Sequence, residues 1–368
     1  MANDSVKLRD KPSQFDFGFS LLYLGADHSL DLRWVRSTQK YPEQIDSFGM
    51  ARSFQNILVT GGAGFIGSHI VDALIAKGHN VGVLDSLSTG RLSNLKTHLA
   101  SKKITFHEGD IADFEAVSRI VPGYDAIIHE AALVSVTRSV ENPLLTNEVN
   151  VGGTINLLKA AVDAKARKFV YASSSSVYGD TPTLPKIETM NPSPASPYGV
   201  SKLAGENYCR TFAKVYGLHT ISLRYFNVYG PRQTYGPYSG VIPIFIQRIL
   251  DNRPPIVFGD GGQTRDFTYV KDVVQANLRS LESTSVPPGS VFNIGRGKTI
   301  TINELAAEIE MITGKTNLGI EHGPERLGDI RASFAEIAKA KQELGYMPET
   351  DTEEGLRHVV DWLLSEKR

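Results

Sequence analysis

From Phe54 onward, two patterns of hydrophobic positions alternate along the chain. Short runs of β-branched and other apolar residues predict buried strands, and segments with apolar residues three or four positions apart predict helices. Strands that alternate with helices predict a parallel sheet that is covered by helices on both faces. The strands are predicted at residues 57–60, 81–85, 104–108, 126–129, 168–173 and 220–224, and the clearest helices between them at 70–77, 147–165 and 198–216.

The pattern changes after Tyr225. Prolines and glycines become frequent there, and the predicted elements become shorter. This change predicts a second, smaller lobe that is built onto the sheet. Its elements are predicted as helices at 244–250, 270–281, 302–313, 335–344 and 353–365, and a strand at 291–294.

A glycine triplet with a spacing of three residues follows the first predicted strand directly. Between a strand and a helix, such glycines allow a tight turn, a close approach of a pyrophosphate to the backbone, and close packing of helix on strand. The backbone N–H groups at the start of the helix then hold the pyrophosphate. An acid at the end of the second strand can bind a ribose diol and disfavours a 2′-phosphate, so NAD is predicted. The predicted contacts are Gly61, Gly64, Phe65, Ile66, Gly67 and Asp85.

Further cofactor contacts are predicted where later strands end. Asp110 and Ile111 follow the third strand, where an acid can reach the adenine amino group. Two small residues follow the fourth strand and leave room for the cofactor. The predicted contacts of this part are Asp110, Ile111, Ala131, Ala132, Asn150 and Tyr225.

These patterns together predict an α/β fold, a Rossmann-type doubly wound parallel sheet with a smaller C-terminal α/β lobe for the substrate. Residues 54–225 are the predicted NAD-binding domain. Residues 226–368 are mainly the predicted substrate-binding lobe, with some elements returning to the sheet. Residues 1–51 precede the first strand and are predicted to be a disordered or peripheral extension without chemistry.

The bulk composition excludes several classes of partner. The chain has 39 basic and 40 acidic residues, a balance that predicts neither a nucleic-acid-binding nor a membrane-binding surface. It contains no apolar run long enough to span a bilayer. Cys209 is the only cysteine, so no internal disulfide can form, and a reducing, cytoplasmic location is expected with an inert thiol.

Candidate catalytic residues lie on the helix predicted at 198–216 and on the strand before it. Tyr198 and Lys202 are four positions apart, hence on one face of the helix. A phenol titrates near ~10, and a nearby ammonium together with an oxidised nicotinamide favours the phenolate. A run of serines at 173–176 ends the fifth strand, where a hydroxyl can bond a reacting oxygen. Tyr198, Lys202 and one of these serines are therefore predicted to act together.

Five motifs carry a resemblance to a known family. They are TGGAGFIG at 60–67, SSSSVYG at 173–179, SPYGVSK at 196–202, LRYFNVYG at 223–230 and TRDF at 264–267. With them the chain resembles the extended short-chain dehydrogenases/reductases, and specifically the UDP-galactose 4-epimerase group. The resemblance implies that Tyr198 takes the proton of the sugar 4-hydroxyl while hydride passes from C4 to NAD⁺, and that Ser174 holds the oxygen. The resulting 4-keto sugar then turns over and receives the hydride on its other face.

The resemblance also implies a set of substrate contacts. Asn227, Arg265 and Arg326 match positions that bind the diphosphate, and Gln233 matches one that shapes the uridine or sugar pocket. Ser135 belongs to a segment, 132–139, that is similar to one in epimerases accepting N-acetyl sugars or uronates. The implied substrate-binding residues are Ser135, Ser174, Asn227, Gln233, Arg265, Arg326, Asp329 and Ser333.

The reaction and the sugar are inferred from a few positions. Related dehydratases and decarboxylases are expected to carry acids within 174–176, where this chain has serines only, so epimerisation is favoured. Ser333 stands where a bulky tyrosine would exclude an N-acetyl group. UDP-GlcNAc and UDP-GalNAc are therefore favoured, with UDP-glucose and UDP-galactose as further substrates. A uronate remains an alternative because of Arg138, as does a lyase that takes its acid from elsewhere. A homodimer is expected through the helices at 113–120 or 147–165 and at 198–216.

Overall fold

The computed structural model describes residues 54–234, 240–325 and 331–366. The expectation for residues 1–51 lies outside this range. The strands are β1 (Asn56–Thr60), β2 (Asn80–Asp85), β3 (Ile104–Glu108), β4 (Ala126–His129), β5 (Lys168–Ser174), β6 (His219–Tyr225), β7 (Val228–Tyr229), β8 (Ile256–Phe258), β9 (Thr264–Arg265), β10 (Thr268–Tyr269), β11 (Ser290–Ile294), β12 (Ile300–Thr301), β13 (Glu321–Gly323) and β14 (Ala332–Ser333). The helices are α1 (Phe65–Ala76), α2 (Lys96–Ala100), α3 (Phe114–Ile120), α4 (Val136–Glu141), α5 (Pro143–Asn147), α6 (Gly153–Asp163), α7 (Pro197–Tyr216), α8 (Val241–Leu250), α9 (Val270–Glu282), α10 (Ile302–Thr313) and α11 (Thr352–Glu366).

A seven-stranded parallel sheet has the order β11-β6-β5-β4-β1-β2-β3. The strand order reverses between β1 and β4, so the connections after these two strands leave in opposite directions. Ligands of doubly wound sheets bind at such a switch point, outside the carboxyl ends of the strands. The glycine turn after β1 lies at this place. The predicted Rossmann-type doubly wound sheet is therefore confirmed.

Residues of each central strand alternate between two hydrophobic layers. Ile57 and Val59 of β1 face a layer that contains α1 and α9. Leu58, between them, faces the opposite layer with α3, α6 and α7. Because both faces are covered, the strands read as continuous apolar runs in the sequence.

A third hydrophobic cluster joins α8, α10 and α11 to the short strands β7 and β10. Tyr229 and Tyr269 lie at its centre, with their ring centroids 5.6 Å apart. Nearby, β9 pairs with both β12 and β14, and β13 pairs with β8. These small sheets hold the loops that carry the predicted substrate residues.

All predicted strands are present, with bounds that differ by one residue at most. The strand at 291–294 is β11, which pairs with β6 and completes the main sheet. The helix predicted at 147–165 is longer and not uniform, because α5 continues through a π-helical turn, Glu148–Gly152, into α6.

The helix predicted at 335–344 is wrong in its first half. The Ala335 N–H donates to Asp266, and Lys186 exchanges backbone hydrogen bonds with Phe334 and Glu336. These long-range bonds replace the i→i−4 bonds that a helix needs. A π-helical turn, Ala340–Leu344, follows.

The close contact between the glycine turn and α1 generates a stability prediction. A methyl group on Gly67 would overlap the carbonyl oxygen of Gly61, which is backbone and cannot move aside. We expect Gly67→Ala to lower the free energy of unfolding by about 3 kcal/mol, measured by urea denaturation. The control is Gly152→Ala, a helical glycine with no heavy atom within 4 Å of the added methyl group. It should be neutral or up to ~1 kcal/mol more stable. Equal stability of the two variants would contradict the packing argument.

Candidate active site

The turn after β1 combines two close backbone approaches with an uncapped helix start. Gly61 has φ +68°, and a Cβ there would lie 2.7 Å from the Ala131 nitrogen. Gly64 is the N-cap of α1 and has no side chain to bond the first N–H groups. Those groups and the positive end of the helix dipole suit a pyrophosphate. The structure thus places Gly61, Gly64 and Gly67 around one anion-binding turn, with Phe65 and Ile66 as the first residues of α1.

Asp85 lies against this turn at the end of β2. Its Oδ2 accepts from the Ala63 N–H at 2.9 Å, and its Oδ1 accepts from the Leu87 N–H at 2.8 Å. Burial raises the pKa of this carboxyl, although both hydrogen bonds oppose the rise. A side chain at Gly90 would strike the carboxylate. Asp85 therefore orders the loop that borders the glycine turn.

The other predicted cofactor residues lie on neighbouring loops. Asp110 is exposed and accepts from the Ala112 N–H at 2.9 Å, while Ile111 is buried against Gly153. Ala131 and Ala132 follow β4 and are half-buried.

Asn150 fixes the loop after Ala132. It lies in the π-helical turn, and its side chain exchanges hydrogen bonds with the Leu133 backbone at 2.8 and 3.2 Å. Its amide also donates to the Ser201 hydroxyl at 3.0 Å. Asn150 therefore ties the loop after β4 to α7, which carries the candidate catalytic residues.

Ser174, Tyr198 and Lys202 come together where β5 ends and α7 begins. All three are buried, with 9%, 7% and 4% of their surface exposed. The Tyr198 side chain is hydrogen-bonded to Ser174. The Lys202 ammonium donates to the Ala172 carbonyl oxygen at 2.9 Å and lies 5.9 Å from the centre of the Tyr198 ring. Ser174 also donates to the Ser176 hydroxyl at 3.0 Å.

Burial has the largest effect on the electrostatics of this group. Burial raises the pKa of Tyr198 to about 12, and the hydrogen bond with Ser174 opposes this only in part. Burial also lowers the pKa of Lys202 to about 8, against the opposing effect of Glu130. For the protein's own groups, loss of solvation has the largest effect on the pKa of Tyr198. The lowering that the sequence predicts also requires the positive charge of the nicotinamide and stays a prediction.

Behind these residues lies a buried ion pair that the sequence analysis missed. Arg224 of β6 donates to both carboxylate oxygens of Glu206 on α7, at 2.8 and 2.7 Å. Ser173 donates to the same carboxylate at 2.5 Å, and Arg224 also donates to the Tyr178 hydroxyl at 2.8 Å. An arginine inside an apolar strand was the available signal, because buried charges need partners.

Tyr225, the last predicted cofactor residue, ends β6 and belongs to another buried network. Its hydroxyl donates to Glu130 at 2.7 Å and accepts from the Asn277 amide at 2.7 Å. Glu130 directly follows β4 and was also missed.

A cavity of about 470 Å³ brings together three predicted substrate residues, Asn227, Gln233 and Arg265. Its walls are mostly apolar and come from α8, β8 and the start of α10. The Asn227 amide donates to the Asp266 carbonyl oxygen at 3.2 Å, and Asn227 has φ +31°. An apolar cavity with a few polar groups is typical of a ligand site. Ser174, Tyr198 and Lys202 are not among the residues that line it.

The remaining substrate candidates are placed as follows. Ser333 of β14 pairs with Arg265 of β9, so these two positions are neighbours. Ser135 caps α4, where its hydroxyl accepts from the Arg138 N–H at 3.2 Å, and the next residue, Val136, lines the cavity. Arg326 and Asp329 lie outside the described residues.

Asp266, also missed, holds this region together. It is fully buried and accepts from three backbone N–H groups, those of Arg296, Gly297 and Ala335, at 2.8 to 3.1 Å. These bonds fix the strand of Arg265 against the segment that follows Ser333. An acid inside the motif TRDF was the available signal.

Two further properties concern the described residues as a whole. Within 54–234, 240–325 and 331–366, no helix is both long and apolar enough to cross a bilayer. Cys209 is buried, and burial raises the pKa of its thiol, so the thiolate needed for reactivity is disfavoured.

Comparisons with known proteins agree on one family. The model of the NAD dependent epimerase/dehydratase family matches residues 57–295. A putative UDP-glucose 4-epimerase of Methanocaldococcus jannaschii is 43% identical over 314 residues, which cover 85% of this chain and 99% of that protein.

Two solved structures are similarly close. The UDP-N-acetylglucosamine 4-epimerase of Methanobrevibacter ruminantium, in complex with UDP-N-acetylmuramic acid, is 40% identical with a TM-score of 0.81, over 86% of this chain and all of that one. The UDP-glucose 4-epimerase of Thermotoga maritima, with UDP-glucose, is 41% identical with a TM-score of 0.80, over 85% of this chain and all of that one.

Proposed function

Because the chain belongs to the NAD dependent epimerase/dehydratase family, we propose that it is an NAD-dependent UDP-sugar 4-epimerase. It inverts C4 of the sugar through a 4-keto intermediate. One observation carries this proposal: Ser174, Tyr198 and Lys202 converge, while serine occupies position 176, where a lyase would need an acid. The similar proteins from M. jannaschii, M. ruminantium and T. maritima are all named 4-epimerases, which supports the same reaction.

The cofactor site is assigned to the glycine turn and its neighbours. The start of α1 binds the pyrophosphate, and Asp85 binds the adenosine ribose and disfavours a 2′-phosphate. Asp110 and Ile111 border the adenine, and Ala131, Ala132, Asn150 and Tyr225 border the rest of the cofactor. Residues 54–225 thus hold mainly the cofactor, and residues 226–368 mainly the substrate.

In the proposed mechanism, Tyr198 removes the proton of the 4-hydroxyl and Ser174 holds that oxygen. When bound, NAD⁺ supplies a hydride acceptor for C4 and a positive charge beside the phenol. That charge is needed, because burial alone raises the pKa of Tyr198 to about 12. Lys202 adds a second positive charge on the same helix face. Return of the hydride to the other face of C4, together with the proton from Tyr198, would then complete the inverted alcohol.

The substrate is assigned to the cavity at Asn227, Gln233 and Arg265. A guanidinium fork suits a diphosphate, so Arg265, together with Asn227, binds that group. Arg326 and Asp329 are proposed to contribute from the neighbouring segment, and Ser135 from the start of α4. Ser333 faces the C2 substituent of the sugar and leaves room for an N-acetyl group.

We also propose a cytoplasmic location, which the single, buried Cys209 supports.

The function is tested by incubating the purified protein with UDP-GlcNAc, UDP-glucose or UDP-glucuronate and reading the products by proton NMR. We expect C4 epimers with unchanged mass. In Tyr198→Phe, turnover should fall by about 10³-fold because the proton acceptor is lost, while bound NAD is retained. Tyr216→Phe, at the exposed end of the same helix, is the matched control and should remain active. A product that has lost water or carbon dioxide would identify a lyase, and full turnover by Tyr198→Phe would refute the mechanism.

The sugar preference is tested at Ser333. A tyrosine there fills the space that we assign to the N-acetyl group, so Ser333→Tyr should lower kcat/KM for UDP-GlcNAc by about 100-fold and change that for UDP-glucose by only about threefold. Ser333→Ala is the control and should accept both sugars. An equal loss for both sugars would show that position 333 does not read the C2 substituent. Preference for the glucuronate in the unmodified protein would favour the uronate alternative.

We further propose a homodimer, which an apolar surface supports. Val200, Tyr208 and Val215 are exposed on one face of α7, seven or eight positions apart. Val140 of α4 and Leu144 of α5 are 64% and 82% exposed, on helices that contact α7. Large apolar residues that share one region of the surface are typical of protein interfaces. The face adds α4 and α5 to the predicted helix at 198–216, and the alternatives at 113–120 and 147–165 stay predictions.

Leu144→Asp tests this interface. A charge at the most exposed of these residues should raise the dissociation constant of the dimer by about 30-fold, measured by light scattering across a dilution series. Met311→Asp is the control and should leave the dimer intact. It introduces the same charge at an exposed apolar residue of α10. A monomer in the unmodified protein, or dissociation by both variants alike, would contradict the assignment.

A further inference from the structure

Glu130 is a buried acid beside the catalytic group, and the proposed mechanism gives it no role. It directly follows β4, whose register pairs His129 with Tyr171 of β5. One residue further, Glu130 lies beside Ala172, and the Ala172 carbonyl oxygen is the acceptor of the Lys202 ammonium. Backbone register therefore places Glu130 beside the strand residue that anchors the Lys202 ammonium. Its carboxyl lies on the α9 face of the sheet, with Tyr225 and Asn277.

The hydrogen bonds around Glu130 show which form of the carboxyl they favour. The Asn277 amide nitrogen donates to the Val273 carbonyl oxygen at 3.0 Å, which fixes the orientation of that amide. The same nitrogen donates to the Tyr225 hydroxyl. Since that hydroxyl accepts from Asn277, its own proton points to Glu130 at 2.7 Å. The chain of donors thus ends on Glu130 as an acceptor, as a carboxylate requires.

The ionisable groups that interact electrostatically with Glu130 come from two elements. Tyr225 at the end of β6 is one, and Tyr198 and Lys202 on α7 are the others. The α9 helix presents the uncharged Asn277. Lys202 is the only one of these described neighbours that carries a positive charge.

We propose that Glu130 is a positioning residue of the catalytic centre, whose carboxylate is the counter-charge that keeps the Lys202 ammonium protonated. A buried ammonium loses its solvation, and a nearby negative charge is the compensation that the protein can supply. The two groups act on each other through space, because Lys202 donates to Ala172 and Glu130 accepts from Tyr225.

The Glu130 carboxylate affects the pKa of both Tyr198 and Lys202. The Glu130 carboxylate raises the pKa of Tyr198, while it raises that of Lys202 as well. Glu130 therefore makes the Tyr198 phenol less acidic, and it also keeps Lys202 charged at higher pH. Burial raises the pKa of Glu130 itself to about 7, so the counter-charge is about half formed at neutral pH, complete in alkaline solution and lost on acidification.

The test compares Glu130→Gln, which keeps the shape and the acceptor but removes the charge, with Glu130→Asp, which keeps the charge. The titration of Lys202 is read from the ¹³Cε signal of labelled lysine without substrate, assigned by its loss in Lys202→Met. We expect Glu130→Gln to lower the midpoint of this Lys202 titration by about one pH unit. The pH at which kcat/KM falls on the alkaline side should decrease by the same amount. At a pH above both Lys202 titration midpoints, this is about a tenfold loss of kcat/KM. Glu130→Asp should keep the wild-type profile, and Glu115→Gln, an exposed change on α3, should shift nothing.

An unchanged Lys202 titration in Glu130→Gln would overturn the proposal, as would equal shifts in Glu130→Gln and Glu130→Asp. If Glu130→Gln fails to fold, Tyr225→Phe tests the same charge, because loss of the hydroxyl delays formation of the carboxylate and should lower the Lys202 titration. The charge matters for catalysis only if Tyr198 and Lys202 act as proposed above. The lysine titration needs no substrate, so a protein without epimerase activity still answers the question.

Discussion

The buried pair of Glu206 and Arg224 is the constraint on which the active site depends. Tyr198, Lys202 and Glu206 lie four residues apart along one face of α7, so one residue that anchors the helix to the sheet follows the two residues that are proposed to act in catalysis. Arg224 receives Glu206 with two parallel hydrogen bonds, a geometry that tolerates little rotation. Removing one partner of such a buried pair leaves an uncompensated charge at a cost of about 3–5 kcal/mol. The helix therefore has one register relative to β5 and β6.

The same pair connects the helix to both strands that carry the site. Ser173, which donates to Glu206, immediately precedes Ser174, and Arg224 immediately precedes Tyr225. Because neighbouring residues of a strand point to opposite faces, the ion pair lies on one side of the sheet while Tyr225 reaches Glu130 on the other. A small shift of the ion pair would thus displace both Ser174 and Tyr225, which lie next to its residues in the chain.

Local patterns in the sequence were enough for the main sheet and for the turn after β1. A strand, a glycine turn and a helix are contiguous, and Gly64 and Gly67 both approach the Gly61 carbonyl oxygen within that same segment. The motif at 196–202 likewise placed Tyr198 and Lys202 correctly, because four residues on a helix fix a shared face. In contrast, Glu130, Glu206 and Asp266 each depend on partners that are distant in sequence. Nothing in the local pattern shows whether such an acid is buried or solvated.

The same limitation explains the one correction among the helices. Helical periodicity at 335–344 is genuine, but Asp266 and Lys186 form long-range hydrogen bonds with the backbone of its first residues, and these bonds replace the helix. The pKa of Tyr198 was predicted from the charges of Lys202 and an oxidised nicotinamide, whereas its degree of burial, which only the packed structure reveals, has the largest effect among the protein's own groups.

The position of β11 at the edge of the main sheet has a consequence for how the protein acquires its structure. This strand follows β6 by more than sixty residues, yet it forms the last parallel ladder, from Ser290 with Ile221 to Ile294 with Tyr225. During synthesis, β6 remains an unpaired edge until the ribosome has passed residue 294, and unpaired edges invite association with other chains. The seven-stranded sheet is therefore complete only after the whole segment between β6 and β11 has been synthesised.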